Sequence, residues 1–399
     1  MKHILVVSGN ALAHLTRPLS VARPLQERGY TVSVAGEIHK WASIIRANGY
    51  EVIDLPLNID GKALNKGSLA LSTSVVRQAI DHDRALLRRL KPRLVLLDWR
   101  HSMRLAAALE HIPVVAFANA QVTKVYAGPL VAPLKHPLTR LAGRRLANRL
   151  MPLFAPWFFR AWARPYQAYA RAHGHAGWRD LRDYIAGDTT LLADLPSLAP
   201  IKTADDSYTY IGPLAQYPFP SEPLPPLADP VLYITFGSET AAKYRDAVVQ
   251  ATQGWPGSVV VTTGGDTLEW PGEWIARPYI KPLELSKQHQ LTWLFHGGNG
   301  TSYQMLQAWQ ADQVRCGGAV ILPFHVDHQW NAARLARLGA VRAIVPIDTL
   351  HDPAQQAVVA QALSASAQQA LPAMPPELRV EIERYSYTKA TERALRTID

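Results

Sequence analysis

Two series of short apolar segments, each alternating with amphipathic ones and separated by the proline-dense stretch YPFPSEPLPPLADP, constrain this chain more than any other feature. Before the break, HILVVSG, YTVSVAG, EVIDLP, RLVLLDW and VVAFAN read as buried strands. LSVARPLQERGY, WASIIRANGY, RQAIDHDRALLRRLKP and MRLAAALEHIP read as the helices between them, most of them closed by glycine or proline. After it, VLYITFGS, SVVVTTGG, WIARPYI, LTWLFHGG, AVILPFH and RAIVPID repeat the rhythm. Strands alternating with helices form parallel sheets with crossover connections. At 399 residues the chain exceeds one ordinary core. The expectation is an α/β protein of two doubly wound domains, over 1–215 and 230–375. A stiff linker over 216–229 joins them, and a charged helix over 376–399 closes the chain. Residues from about 120 to 185 break the rhythm and read as irregular segments and helices rich in Pro, Arg and Trp. TTLLADLP and YTYIGPL then return to the first sheet. Ligands of such sheets sit outside the carboxyl ends of the strands, so a central cleft is the expected binding place.

Composition narrows the setting. One cysteine, Cys316, excludes an intrachain disulfide framework and fits a reducing cytosol. MKHILVVSGN turns polar by Ser8, which reads as a first strand rather than a signal peptide, and no apolar run is long enough to span a bilayer. The formal net charge of +10 is concentrated: between Glu110 and Asp180 there is no carboxylate, while Lys124, Lys135, Arg140, Arg144, Arg145, Arg149, Arg160, Arg164, Arg171 and Arg179 fall there. Phe154, Trp157, Phe158, Phe159, Trp162, Tyr166 and Tyr169 are interleaved with them. Such a stretch (111–179) suits an anionic membrane surface or an anionic or lipid-like ligand, with a plain aromatic core under solvated arginines as the bland reading. No recognition motif accompanies the charge, which argues against nucleic acid.

The segment LTWLFHGGNGTSYQML carries the first chemical signal. An apolar strand ends in His296, glycines follow, and a Thr-Ser pair opens a helix. Backbone N–H groups at such a helix start form a seat for phosphate. A glycine turn needed only to change direction is the alternative reading.

HGGNGT, followed downstream by PFHVDHQWNA, resembles the donor-site signature of the UDP-glycosyltransferase superfamily. The opening ALAHLTRPLSVARPLQERGYTVSVAG, the pieces LLADLPSLAP and YTYIGPL, and FGS at 236–238 are similar to family features in the same order. The resemblance implies the GT-B fold, two Rossmann-like domains with the active site between them and the C-terminal helix over 376–399 packing back on the N-terminal domain. It also implies inverting transfer of a sugar from a UDP- or dTDP-sugar co-substrate to a small-molecule or lipid-like acceptor hydroxyl, with no metal and no other cofactor. A base must take the acceptor's proton and the leaving diphosphate must be stabilised.

The resemblance assigns roles residue by residue. His14 is the general base, and Asp98, at the end of RLVLLDW, orients it. Arg100 and His101 compete with Asp98 for that place, and a packed loop histidine or a solvated strand-end acid are the bland readings. His296, Gly298, Asn299, Gly300 and Thr301 hold the diphosphate, with Ser238 as a second contact. Asp327 and His328 meet the donor sugar, His328 standing where the family usually has Gln, with Gln329 as a substitute. Ile280, Lys281 and Gln304 fall at the nucleoside end: Gln304 replaces the family's Glu, and Ile280 its stacking Trp. QAWQADQVRCGG is longer than the family's link. A UDP-sugar epimerase of the same fold and a non-catalytic nucleotide-sugar-binding protein are the rival readings.

Overall fold

The computed structural model describes residues 2–9, 12–55, 71–132, 137–202, 206–214, 222–237, 242–265, 267–312 and 315–398. The chain divides into two compact units: Met1–Pro218 together with Tyr385–Asp399, and Phe219–Arg384.

Unit 1 is built on seven parallel strands: β1 (His3–Ser8), β2 (Thr31–Gly36), β3 (Glu51–Asp54), β4 (Leu94–Asp98), β5 (Val114–Ala118), β6 (Thr189–Leu192) and β7 (Tyr208–Tyr210). Their order in the sheet is β3-β2-β1-β4-β5-β6-β7. β1 and β5 are buried along their whole length, as expected of a sheet covered on both faces. The helices are α1 (Leu12–Glu27), α2 (Ala42–Ala47), α3 (Thr73–Leu90), α4 (His101–Leu109) and α5 (Pro137–Ala172). The chain reverses direction across the sheet between β1 and β4, whose ends are in register at Ser8 and Asp98. This is the topological switch point at which open α/β sheets bind ligands.

Unit 2 repeats that plan with six parallel strands: β8 (Val231–Thr235), β9 (Val259–Thr262), β10 (Ile275–Arg277), β11 (Leu291–Phe295), β12 (Cys316–Ile321) and β13 (Val341–Ile344). The order β10-β9-β8-β11-β12-β13 puts its own switch point between β8 and β11. Its helices are α6 (Arg245–Ala251), α7 (Pro282–Ser286), α8 (Asn299–Ala311), α9 (Val326–Arg337), α10 (Pro353–Gln368) and α11 (Pro376–Arg384). Valine, isoleucine and leucine of the strands form its core with Val248, Val359 and Leu363 of the covering helices.

Two expectations are corrected and a third is made more definite. The first helix begins at Leu12, not after Pro18, because burial of Leu15, Leu19 and Val21 holds the helix together through Pro18 and Pro24. His14 therefore sits on a helix, not in a loop. Residues 137–172 form one long helix kinked at Gly143, whose φ of 75° breaks the helical run. The tail over 376–399 is two helices, α11 and α12 (Tyr387–Ile398), and only the second belongs to unit 1. The break falls at Tyr385, which lies so close to Gly212 that a Cβ there would meet the Tyr385 carbonyl at 2.7 Å. Of the proposed linker over 216–229, residues 216–221 lie outside the described residues.

Candidate active site

At the switch point of unit 1, the N–H of Gly9 donates to the carbonyl of Asp98 at 2.9 Å, tying the ends of β1 and β4 together. The chain then enters α1, whose first turn presents His14. Its Nδ1 lies 2.6 Å from Asp98 Oδ1. The Asp98 side chain is 1% exposed and that of His14 is 21% exposed, so the carboxylate lies beneath an imidazole that reaches solvent. An ionised carboxylate can only accept, which places the proton on Nδ1 and leaves the Nε2 lone pair for a substrate. Trp99, held at φ 60°, stacks on the His14 ring with centroids 5.6 Å apart and planes within 10°. A Cβ on Gly9 would lie 3.3 Å from Cδ2 of the His14 ring and from the Cβ and carbonyl oxygen of Trp99, so glycine here lets the three residues pack closely.

A third group escaped the sequence reading. Arg17, one turn after His14 on α1, places Nη2 3.0 Å from Asp98 Oδ1 and Nε 2.8 Å from Oδ2. The second approach is an ion-pair contact without hydrogen-bond alignment, since neither atom has a hydrogen-bond partner. Nη1 donates to Asn119 Oδ1 at 2.5 Å, just past β5. Nη2 is also 3.1 Å from His14 Nδ1, but both atoms carry hydrogens once Asp98 is ionised, so Asp98 takes the bond. The i, i+3 spacing of His14 and Arg17 was the available signal, and it is readable only if Pro18 is taken inside the helix.

Of the competitors of Asp98, Arg100 is engaged elsewhere and His101 is packed away. Arg100 grips Asp83 through Nε at 3.0 Å and Nη2 at 2.8 Å, and Ser102 Oγ adds a bond to the same carboxylate at 2.7 Å. His101 is buried edge-on to Trp99, and burial pushes its pKa down to about 4.

In unit 2 the switch point is made by the turns after β8 and β11. Gly237, at φ 61°, comes close enough to the His296 ring that a Cβ would lie 3.1 Å from Cε1. A Cβ on Gly298 would sit 2.4 Å from His296 Nε2, and one on Gly297, at φ 93°, would strike the His328 carbonyl at 2.7 Å. The glycines thus let the turn fold over its own histidine. The first intrahelical bond of α8 runs from Ser302 N to Gly298 O at 2.9 Å, so the N–H groups of Asn299, Gly300 and Thr301 lie at the open helix end.

The loop carrying PFHVDHQWNA supports this turn from below. Asn331 Nδ2 donates to the Gly297 carbonyl at 2.8 Å. The His328 ring meets His296 edge to face at 4.4 Å and lies against His325 at 3.6 Å. Its Nδ1 accepts from the Phe324 N–H at 3.3 Å. Burial, then the neighbouring His296 and His325, hold its pKa well below the usual histidine range. His328 is therefore a neutral ring packed under the turn, while Asp327 opens the first turn of α9 partly exposed. At the nucleoside end, α7 packs against α8. Ile280 and Gln304 are buried, and Lys281 is half-exposed with Nζ 3.5 Å from Glu284. Ser238 lies outside the described residues. Among the described residues no group of three His, Cys, Asp or Glu side chains is placed to hold a metal ion.

No family model matches the chain. It is 29% identical to a PGL/p-HBAD biosynthesis glycosyltransferase of Mycobacterium tuberculosis over 88% of this chain and 82% of the relative. It is 28% identical to a PGL/p-HBAD biosynthesis rhamnosyltransferase of Mycobacterium bovis over 84% and 75%. A further Mycobacterium bovis relative, named an inactive PGL/p-HBAD biosynthesis glycosyltransferase, is 30% identical over 60% of this chain and 68% of the relative. The chain belongs to the UDP-glycosyltransferase superfamily. Among solved structures it is similar to the calicheamicin glycosyltransferase CalG4, with a TM-score of 0.62 and 19% identity over 100% of this chain and 97% of that one. The superfamily's GT-B architecture accounts for the two sheets of like topology, and this member is a glycosyltransferase. Two of the signature elements seen in the sequence, HGGNGT and PFHVDHQWNA, form one packed structure in this superfamily member, joined by the bond from Asn331 to Gly297.

Proposed function

We propose that this glycosyltransferase moves a hexose from a UDP- or dTDP-sugar to a hydroxyl of a small-molecule or lipid-like acceptor, with inversion at the anomeric carbon. The observation that carries the reading is the 2.6 Å bond from His14 to the buried Asp98 at a sheet's switch point. His14 Nε2 takes the acceptor hydroxyl proton as the oxygen forms its bond to the anomeric carbon. The bond from that carbon to the diphosphate oxygen breaks, and the nucleoside diphosphate leaves with the electron pair. Asp98 keeps the proton of His14 on Nδ1 and stabilises the imidazolium that forms.

The growing charge on the diphosphate is met by the N–H groups at Gly298–Thr301, the α8 helix end and His296. His328, neutral and packed under His296, fixes that ring, and the Asp327 carboxylate accepts from hydroxyls of the donor sugar. Ser238 adds a contact to the diphosphate, while Ile280, Lys281 and Gln304 take the nucleoside end. No cofactor or metal enters this scheme, because backbone dipoles carry the charge. A single cysteine, with no disulfide to form, supports a cytosolic setting.

The test is release of UDP or dTDP from a panel of nucleotide sugars with added acceptors, comparing the native chain with His14→Ala. His14→Ala is expected to cut kcat by about 100- to 10,000-fold while leaving donor affinity in place. Equal turnover by the variant sinks the base assignment, and a donor consumed without any acceptor favours an epimerase. If no nucleotide sugar binds, the donor assignment fails.

A further inference from the structure

Helix α5 sends its large apolar side chains in two directions. Trp162, Tyr166 and Tyr169 turn inward and are buried in the core of unit 1. Leu146, Leu153, Phe154 and Trp157 turn outward and are 48%, 73%, 54% and 57% exposed. Among the described residues, large exposed hydrophobics outside α5 are confined to Val358 and Val380. Leu146, Leu153 and Trp157 recur at spacings of seven and four, and Arg160 and Arg164 continue the series at three and four, which is one face of a helix. Arg149, Arg160 and Arg164 are exposed beside the apolar residues. The ion pairs of the surrounding segments involve Arg104, Lys124 and Arg182 instead. No carboxylate occurs in the chain between Glu110 and Asp180 to neutralise these arginines locally.

We propose that this face of α5 docks on an anionic lipid surface. Apolar side chains clustered in water are out of place on a soluble surface and mark a contact site. Their charge setting selects the partner. Leu153 and Trp157 enter the boundary between headgroups and acyl chains, and the arginines, with aliphatic stems alongside, pair with lipid phosphates. A second copy of the chain is a poor match, since it would bring the same arginines face to face. The contact lies along the surface, because no helix among the described residues is long and apolar enough to cross a membrane. This docking is independent of the sugar-transfer chemistry and would hold for a chain of any activity.

The experiment is co-sedimentation of the full chain with phosphatidylcholine vesicles, with and without phosphatidylglycerol. Binding is expected only with the anionic lipid and is expected to weaken with added salt. Arg149→Gln and Arg160→Gln should each weaken it about five-fold. Leu153→Ser combined with Trp157→Ser should weaken it about ten-fold or more. All of these positions are exposed, so melting temperature and nucleotide binding by calorimetry should not change. Equal binding to uncharged vesicles, or unchanged binding by the variants, overturns the proposal. So does a loss of turnover on a water-soluble acceptor without vesicles, which would make the patch part of the acceptor site, or a concentration-dependent dimer that the variants abolish.

Discussion

Replacing Arg17 with methionine keeps most of the side-chain length and removes the charge from a site where both partners are shielded, with Arg17 7% and Asp98 1% exposed. The variant loses the bond from Nη2 at 3.0 Å, the ion-pair contact at 2.8 Å and the bond to Asn119. Removing one member of a buried pair costs about 3–5 kcal/mol, because the other charge stays buried. Asp98 retains its bond to His14, which points to the lower end, about 3 kcal/mol. For a unit of this size that corresponds to a fall in Tm of roughly 6–12 °C by scanning calorimetry. Removing both charges, in Arg17→Met with Asp98→Asn, should restore much of the loss, with a coupling energy of about 2 kcal/mol or more. That double variant should still be inactive: an amide at 98 can donate to Nδ1, moving the proton to Nε2 and abolishing the base. Additivity of the two changes within about 0.5 kcal/mol would refute the reasoning, since it would mean the two charges do not feel each other.

Three further outcomes follow from the same coordinates. Gly298→Ala forces a Cβ to within 2.4 Å of His296 Nε2, whereas Gly272 has nothing within 4 Å. Titration calorimetry should show UDP affinity lower by about ten-fold or more for Gly298→Ala and unchanged for Gly272→Ala. The unfolded chain binds a proton on His101 near pH 6.5 that the native state refuses until about pH 4, so acid favours unfolding. Stability from this residue should fall by about 1.4 kcal/mol per pH unit below 6.5, with His328 adding in the same direction. Urea midpoints between pH 7.5 and 5 should show it, and a slope that His101→Gln leaves unchanged would contradict it. Burial pushes the Cys316 thiol up to about 12, so an aromatic disulfide reagent should label the chain only as it unfolds.

Much of this organisation is legible in the residues because strands buried on both faces leave unmistakable apolar runs. Helix-stopping glycines such as Gly29 then mark where the chain turns back. Asp98 and the HGGNGT turn could be placed because each lies where such a run ends. Arg17 could not: Pro18 looks like a helix start, and the packing of Leu15 and Leu19 that overrides it is tertiary information. The two directions of α5 were equally hidden, since inward Trp162 and outward Trp157 are the same residue type, distinguished only by what the sheet covers. The close packing of Tyr385, at the break between the last two helices, on Gly212 joins residues far apart in the chain.

The register of Ser8 with Asp98 carries a practical lesson. The proposed base and its partner hang from two adjacent central strands, and Asn119, which steadies Arg17, follows the next strand over. The bonds that join His14, Asp98, Arg17 and Asn119 to one another are made without the segment from Lys124 to Asp180, which includes the whole of α5. A graft that exchanges that segment for the matching stretch of another superfamily member should therefore change what the enzyme meets at its surface while leaving its proton-transfer parts in place. The fold thereby keeps the proposed proton-transfer parts and α5 on separate segments of the chain.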